Sequence, residues 1–159
     1  MREITKIVVH GTMTKPSFQF SVKELAAEHY RRGIRGSVKG SRTAYHHIIT
    51  KDGVVHQGRS MEEPGRLCGG ENENCIAILL EGGMDMSGRP SVHSYSDEQF
   101  DALHEIWMDT RYAFPDLEIL GHRDVYETTE DRRIQRICPG FDVRTWARSV
   151  LWSEGRKAS

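Results

Sequence analysis

The six-residue run Cys75-Ile76-Ala77-Ile78-Leu79-Leu80 offers no polar side chain to either face of an extended chain. Side chains alternate across a strand, so a strand that is apolar on both faces must be covered on both. Gly82-Gly83 follow and end it. Ile4 to His10 reads the same way, its Ile7-Val8-Val9 run suited to a central place in a sheet, and Leu117 to Leu120 supplies a further strand. Tyr45 to Ile49 and Val54 to Gln57 flank a turn at Lys51-Asp52-Gly53 and predict a hairpin. Helical patterns fall between these strands. Ser21 with Glu24 and Ser96 with Gln99 are capping boxes. Val22, Leu25, Ala26 and His29 line one face of the first helix, which Gly33 stops. Phe100, Leu103, Trp107 and Phe114 line the second, which Pro115 stops. Asp142 caps a third, with Val143, Trp146 and Val150 inward, and Ser153 to Ser159 reads as a frayed end. The expected fold class is α/β: one domain over residues 1–159, a mixed central β-sheet with about three α-helices on its two faces.

At 159 residues one domain has room for a real core. The formal net charge of −1 leaves little general grip for nucleic acid or an anionic membrane, which needs many Lys and Arg. Basic residues from Arg31 to Arg42 read as a helix end and a mobile loop over Gly33 to Thr43. Met1 to Lys6 lead straight into a strand with no apolar signal region, and no apolar stretch approaches the roughly 18 residues of a membrane span. Synthesis in the cytoplasm without a signal peptide, no membrane insertion and a monomeric state are therefore expected. Three cysteines exclude a full disulfide framework; Cys68 and Cys75 could pair, but reduced small hydrophobes are the better reading.

The eight histidines sort by context. His29, His56, His93 and His104 read as surface or satisfied core residues. His46 and His47 sit in a strand on opposite faces, with Tyr45, His47 and Ile49 on one face, so either packing or a cleft-lining imidazole fits. His10 and His122 differ, because each closes an apolar strand, and sites of open α/β sheets collect at strand ends. Cys138 stands in a Pro-Gly turn. Two imidazoles and one thiolate suit zinc and leave its fourth position open, the arrangement of a catalytic rather than a structural ion. One Zn2+ per chain and a hydrolytic reaction follow as expectations. No convincing pair of facing carboxylates points to glycosidase chemistry instead.

Five segments in order carry a resemblance over roughly positions 5 to 150: Val9-His10-Gly11-Thr12, Ala44 to Ile49 with Asp52-Gly53, Asn74 to Ile78, Gly121-His122-Arg123-Asp124, and Cys138-Pro139-Gly140-Phe141-Asp142. In these the chain resembles the zinc-dependent N-acetylmuramoyl-L-alanine amidases, a family that includes phage lysozymes of the amidase type and the peptidoglycan recognition proteins. The resemblance implies that fold, bacterial peptidoglycan as partner, and cleavage of the amide between N-acetylmuramic acid and L-alanine. It makes His10, His122 and Cys138 the zinc ligands and Tyr45 the tyrosine facing the metal. Arg136 stands where active members commonly carry lysine; it keeps the charge in a planar fork. Tyr45 and Arg136 would then stabilise the oxyanion, and His47, Arg42 and Asn74 would contact substrate. Gly36, Ser37 and Lys39 would join Arg42 along one cleft wall. The loop Gly65 to Gly70 lacks a histidine frequent in relatives. The role implied is that of a phage endolysin acting on the host wall after release. The alternatives are a recognition module that binds peptidoglycan without cutting it, or a zinc amidase for another amide.

Overall fold

A computed structural model describes residues 2–34, 42–66, 72–125 and 136–158. Its strands are β1 (Lys6–Gly11), β2 (His47–Ile49), β3 (Val55–Gln57), β4 (Cys75–Leu80) and β5 (Glu118–Gly121). Its α-helices among the described residues are α1 (Val22–Arg31), α2 (Asp97–Ala113) and α3 (Val143–Ala158). The strands form one sheet in the order β3-β2-β4-β1-β5. β2, β4, β1 and β5 run parallel and β3 closes one edge antiparallel, so the sheet is mixed. The apolar run of β4 is the middle strand of the five, and all six of its residues are buried.

The two faces of the sheet carry different cores. Ile7, Val9, Ile76, Ile78, Leu80 and Ile119 pack under Leu103 and Trp107 of α2 and Val143 and Ala147 of α3. The opposite face holds a smaller cluster of Val8, Cys75, Ala77, Leu120 and Val125, with Tyr45 against it. Helix α1 reaches that face through His29, whose ring lies 5.8 Å from that of Tyr45. Helix starts follow the local chemistry. Ser96 and Gln99 complete both halves of the capping box at α2, while at α1 Ser21 Oγ accepts from the Glu24 amide at 3.3 Å. Asp142 Oδ1 accepts from the Thr145 amide at 3.0 Å at the head of α3.

Three expectations are corrected here. Helix α3 continues through Ala158, past Ser153, where Glu154 meets His104 of α2 at 2.7 Å. Tyr45 and Ile49 do not share a face: Tyr45 precedes β2 and packs with Val8, while Ile49 packs with Val9. Strand alternation says nothing about a residue before the strand begins. Cys75 is disulfide-bonded rather than reduced. An odd cysteine count argues against a complete framework, not against one pair, whose formation depends on a separation that composition does not reveal. Cys68 and the cleft-wall residues Gly36, Ser37 and Lys39 lie outside the described residues.

Candidate metal centre

Parallel register brings two of the donors together. Val9 of β1 pairs with Gly121 of β5, so the next residues, His10 and His122, emerge side by side at the C-terminal edge of the sheet. Their ring centroids are 4.4 Å apart. Cys138 arrives from the segment before α3, and the potential ligand atoms of His10, His122 and Cys138 all lie within 4.8 Å of one another. Backbone contacts hold this geometry. The Gly11 amide donates to Cys138 Sγ at 3.3 Å, and the Arg123 amide donates to the Cys138 carbonyl at 2.9 Å. His122 opens a short 3-10 turn, His122–Asp124, in which Asp124 Oδ2 accepts from the Gly121 amide at 2.9 Å. The Arg123 guanidinium meets Asp142 at 3.3 Å, joining that turn to the head of α3. Arg123 and Asp124 thus shape the turn that presents His122, a function that the motif alone did not assign to them.

The electrostatics suit a soft divalent cation. Burial pushes the Cys138 thiol up to about 12, with the Gly11 amide pulling the other way. A cation between the donors supplies the positive charge that stabilises a thiolate there. Burial lowers the pKa of His122, which keeps its imidazole neutral and able to ligate. Two imidazoles and one sulfur fit zinc in donor type and in mutual reach. Tyr45 stands next to them, its ring centroid 5.3 Å from that of His10. Burial, with Cys138 adding to it, raises the Tyr45 pKa, so its hydroxyl stays protonated and can donate.

A buried polar frame sets the position of Tyr45. His29 Nδ1 accepts from the Ala44 amide at 3.0 Å, and the Thr43 hydroxyl donates to the Tyr45 carbonyl at 2.7 Å. Arg59 donates from Nε to the Thr43 carbonyl at 3.1 Å and pairs with buried Glu63 at 3.4 Å. His46 Nδ1 accepts from the Ala77 amide at 3.0 Å, which puts the ring proton on Nε2, 2.9 Å from the Glu63 carbonyl. His29 and His46 are thus satisfied core residues.

The other expected site residues fall in different places. Arg136 is exposed, two residues before Cys138. Arg42 is exposed, its amide bonded to the Gly58 carbonyl at 2.8 Å. His47 pairs in register with Ile78 and so lies on the face of Val9, opposite that of Val8 and His10. Asn74 sits at the other end of the sheet, beside Thr5, where its Nδ2 donates to the Glu3 carbonyl at 3.1 Å. Five residue steps separate Thr5 from His10, roughly 16 Å at the usual rise. The structure therefore gathers His10, His122, Cys138 and Tyr45 and leaves His47 and Asn74 apart from them.

Comparison with known proteins gives four findings. A family model described as N-acetylmuramoyl-L-alanine amidase matches residues 1–141. An endolysin of Enterobacteria phage K11 is 28% identical over 148 residues, covering 93% of this chain and 88% of that protein. Among solved structures, the N-acetylmuramoyl-L-alanine amidase LysC from Clostridium intestinale URNW superposes with a TM-score of 0.68 at 23% identity, over 94% of this chain and 86% of that one. Drosophila PGRP-LB superposes with a TM-score of 0.63 at 20% identity, over 88% and 76%. At these identities the two structures speak to the fold.

Proposed function

Because the chain belongs to the N-acetylmuramoyl-L-alanine amidase family, we propose that it is a zinc-dependent amidase of the phage endolysin kind. It hydrolyses the amide between N-acetylmuramic acid and L-alanine in peptidoglycan, with residues 1–159 acting as one monomeric catalytic domain. The observation that carries this reading is the convergence of His10, His122 and Cys138 within 4.8 Å at the C-terminal edge of the sheet. No helix among the described residues is long and apolar enough to cross a membrane. The enzyme is made in the host cytoplasm and meets its substrate when it gains access to the wall.

In this reading His10, His122 and Cys138 hold one zinc ion. When bound, zinc supplies a water of lowered pKa, near about 7, and polarises a carbonyl. The remaining chemistry belongs to the chain. Tyr45 keeps its proton and donates a hydrogen bond to the scissile carbonyl oxygen as negative charge grows on it. Arg136 brings a fixed positive charge to the same oxygen from the segment that carries Cys138. The departing amine needs a proton, and as the amide bond breaks the Tyr45 hydroxyl would pass its own to the amine and recover one from the attacking water, ending the cycle protonated. The thiolate favours this catalytic reading over a recognition module, since recognition alone does not require a third metal donor.

Metal analysis tests the assignment. Purified protein kept from chelators should carry one zinc per chain. His10→Ala and Cys138→Ala should lose both metal and activity, while His104→Ala, on α2 beside Glu154 of α3, should keep both. Wild-type protein with far less than one equivalent, even after incubation with zinc, would contradict it.

A further inference from the structure

We propose that Tyr95 is a positioning residue for the third metal ligand, its hydroxyl fixing the Cys138 loop against the end of β1. This inference rests on reading the three donors as a zinc site. Tyr95 is buried, stands immediately before the Ser96 cap of α2, and donates from Oη to the Pro139 carbonyl at 2.6 Å. Pro139 follows Cys138, so one bond ties the ligand loop to a helix start 44 residues away.

The space around that hydroxyl is cleared by glycines from two other segments. A methyl group on Gly11, the residue after His10, would run into the Tyr95 oxygen. One on Gly83 would lie 3.1 Å from the same oxygen, and one on Gly82 would lie 2.9 Å from the ring. Gly140 packs so tightly on that turn that its own added methyl would lie 2.6 Å from the Gly83 carbonyl. The turn carrying Tyr95 is anchored at the same point, because the Gly83 amide donates to Ser94 Oγ at 2.7 Å. The hydroxyl therefore sits where the segments after His10 and after Cys138 meet.

Packing alone does not account for an oxygen in that place. The Tyr95 ring meets Phe141 at 5.6 Å and Phe100 at 6.0 Å, contacts that phenylalanine would reproduce. Apolar contact is non-directional and sets how deep the loop sits. A buried hydrogen bond to one carbonyl sets direction as well. A loop so held brings Cys138 Sγ to the two imidazoles before metal arrives, and ordering that need not occur on binding appears as affinity. Residues that orient ligands typically contribute 10–100-fold to metal affinity.

Tyr95→Phe removes one atom and keeps the ring. Metal-free wild type and variant are titrated with Zn2+ against a competing chelator, and with Co2+, whose absorption reports the thiolate bond and coordination geometry. The variant should bind zinc about 10–100-fold more weakly and show a weakened or shifted thiolate–cobalt band. Phe100→Leu loosens the same aromatic cluster without touching the hydroxyl, and should lower the Tm of the metal-free protein while leaving zinc affinity near wild type. Gly11→Ala, whose methyl displaces the hydroxyl with the ring retained, should repeat the loss and serves if Tyr95→Phe does not fold. Wild-type affinity and an unchanged cobalt spectrum in the tyrosine variant, or an equal loss in Phe100→Leu, would overturn the proposal. Failure of the wild type to bind either metal would instead sink the zinc reading beneath it.

Discussion

In the proposed mechanism Arg136 and Tyr45 would divide the work around the donors between a charge and a hydroxyl, and each can be removed without removing a candidate ligand. Arg136→Ala should lower turnover by on the order of 100-fold, the usual loss for one oxyanion donor. Zinc content and folding should stay unchanged, because the side chain is exposed and is not among the three donors. Arg136→Lys should keep substantial activity, since it restores the charge. Turnover measured on purified peptidoglycan checks both, and an alanine variant as fast as wild type removes Arg136 from the mechanism. Tyr45→Phe should cost a similar factor in kcat with little change in zinc content, because the ring contact to His10 survives and only the donor is lost. The donors themselves were legible in the sequence, since a histidine closing an apolar strand is visible as such. The frame behind them was not. The bond from Tyr95 to Pro139 joins residues 44 apart, and nothing local to Tyr95 announces it.

At the scale of elements, two buried polar side chains fasten strands that apolar packing alone would leave free to shift. Gln99 is fully buried at the start of α2; its Nε2 donates to the carbonyls of Ile49 and Glu81, each at 3.0 Å, and its Oε1 accepts from the Ser96 amide at 3.0 Å. Gln99→Leu strands those partners, at about 1–3 kcal/mol for each buried group left unsatisfied. Urea unfolding should show the loss, and an unchanged midpoint would refute the role. The capping box at Ser96 was readable from spacing; the second duty of Gln99, on the ends of β2 and β4, was not. His46 gives a pH dependence. Burial lowers its pKa from 6.5 to about 4 in the folded chain. The unfolded chain then takes the proton first, so stability is complete above about pH 6.5 and falls as pH drops toward about 4. The drop is on the order of 3 kcal/mol at 1.36 kcal/mol per pKa unit. Unfolding free energies across that range should show it, and His46→Asn should flatten the slope. Asn74 and His47 show where sequence reading stops. Their distance from the donors follows from strand register and direction, which no short motif encodes.

For the whole molecule, the order β3-β2-β4-β1-β5 gives each face of the sheet a separate task. Helices α2 and α3 cover one face with a large apolar core. The other keeps a small cluster beneath Tyr45 and raises His10 and His122 at the edge. The large apolar core thus lies on the face away from the donors, two of which stand at strand ends and the third on the turn before α3. Apolar runs and capping signals made the α/β class legible, because burial and helix starts leave marks in neighbouring residues. For the disulfide-bonded Cys75 the sequence allowed a pair with Cys68 but carried no mark of the separation that decides it. The bond broken distinguishes an amidase from every alternative. The direct measurement is mass analysis of the products released from purified peptidoglycan by the zinc-loaded protein and by the same protein after chelation. The zinc-loaded protein should release intact stem peptides bearing a free L-alanine amine and leave the glycan strands without new reducing ends, and chelation should abolish that release. New reducing sugar ends as the main product, or equal release after the metal has been removed, would contradict it.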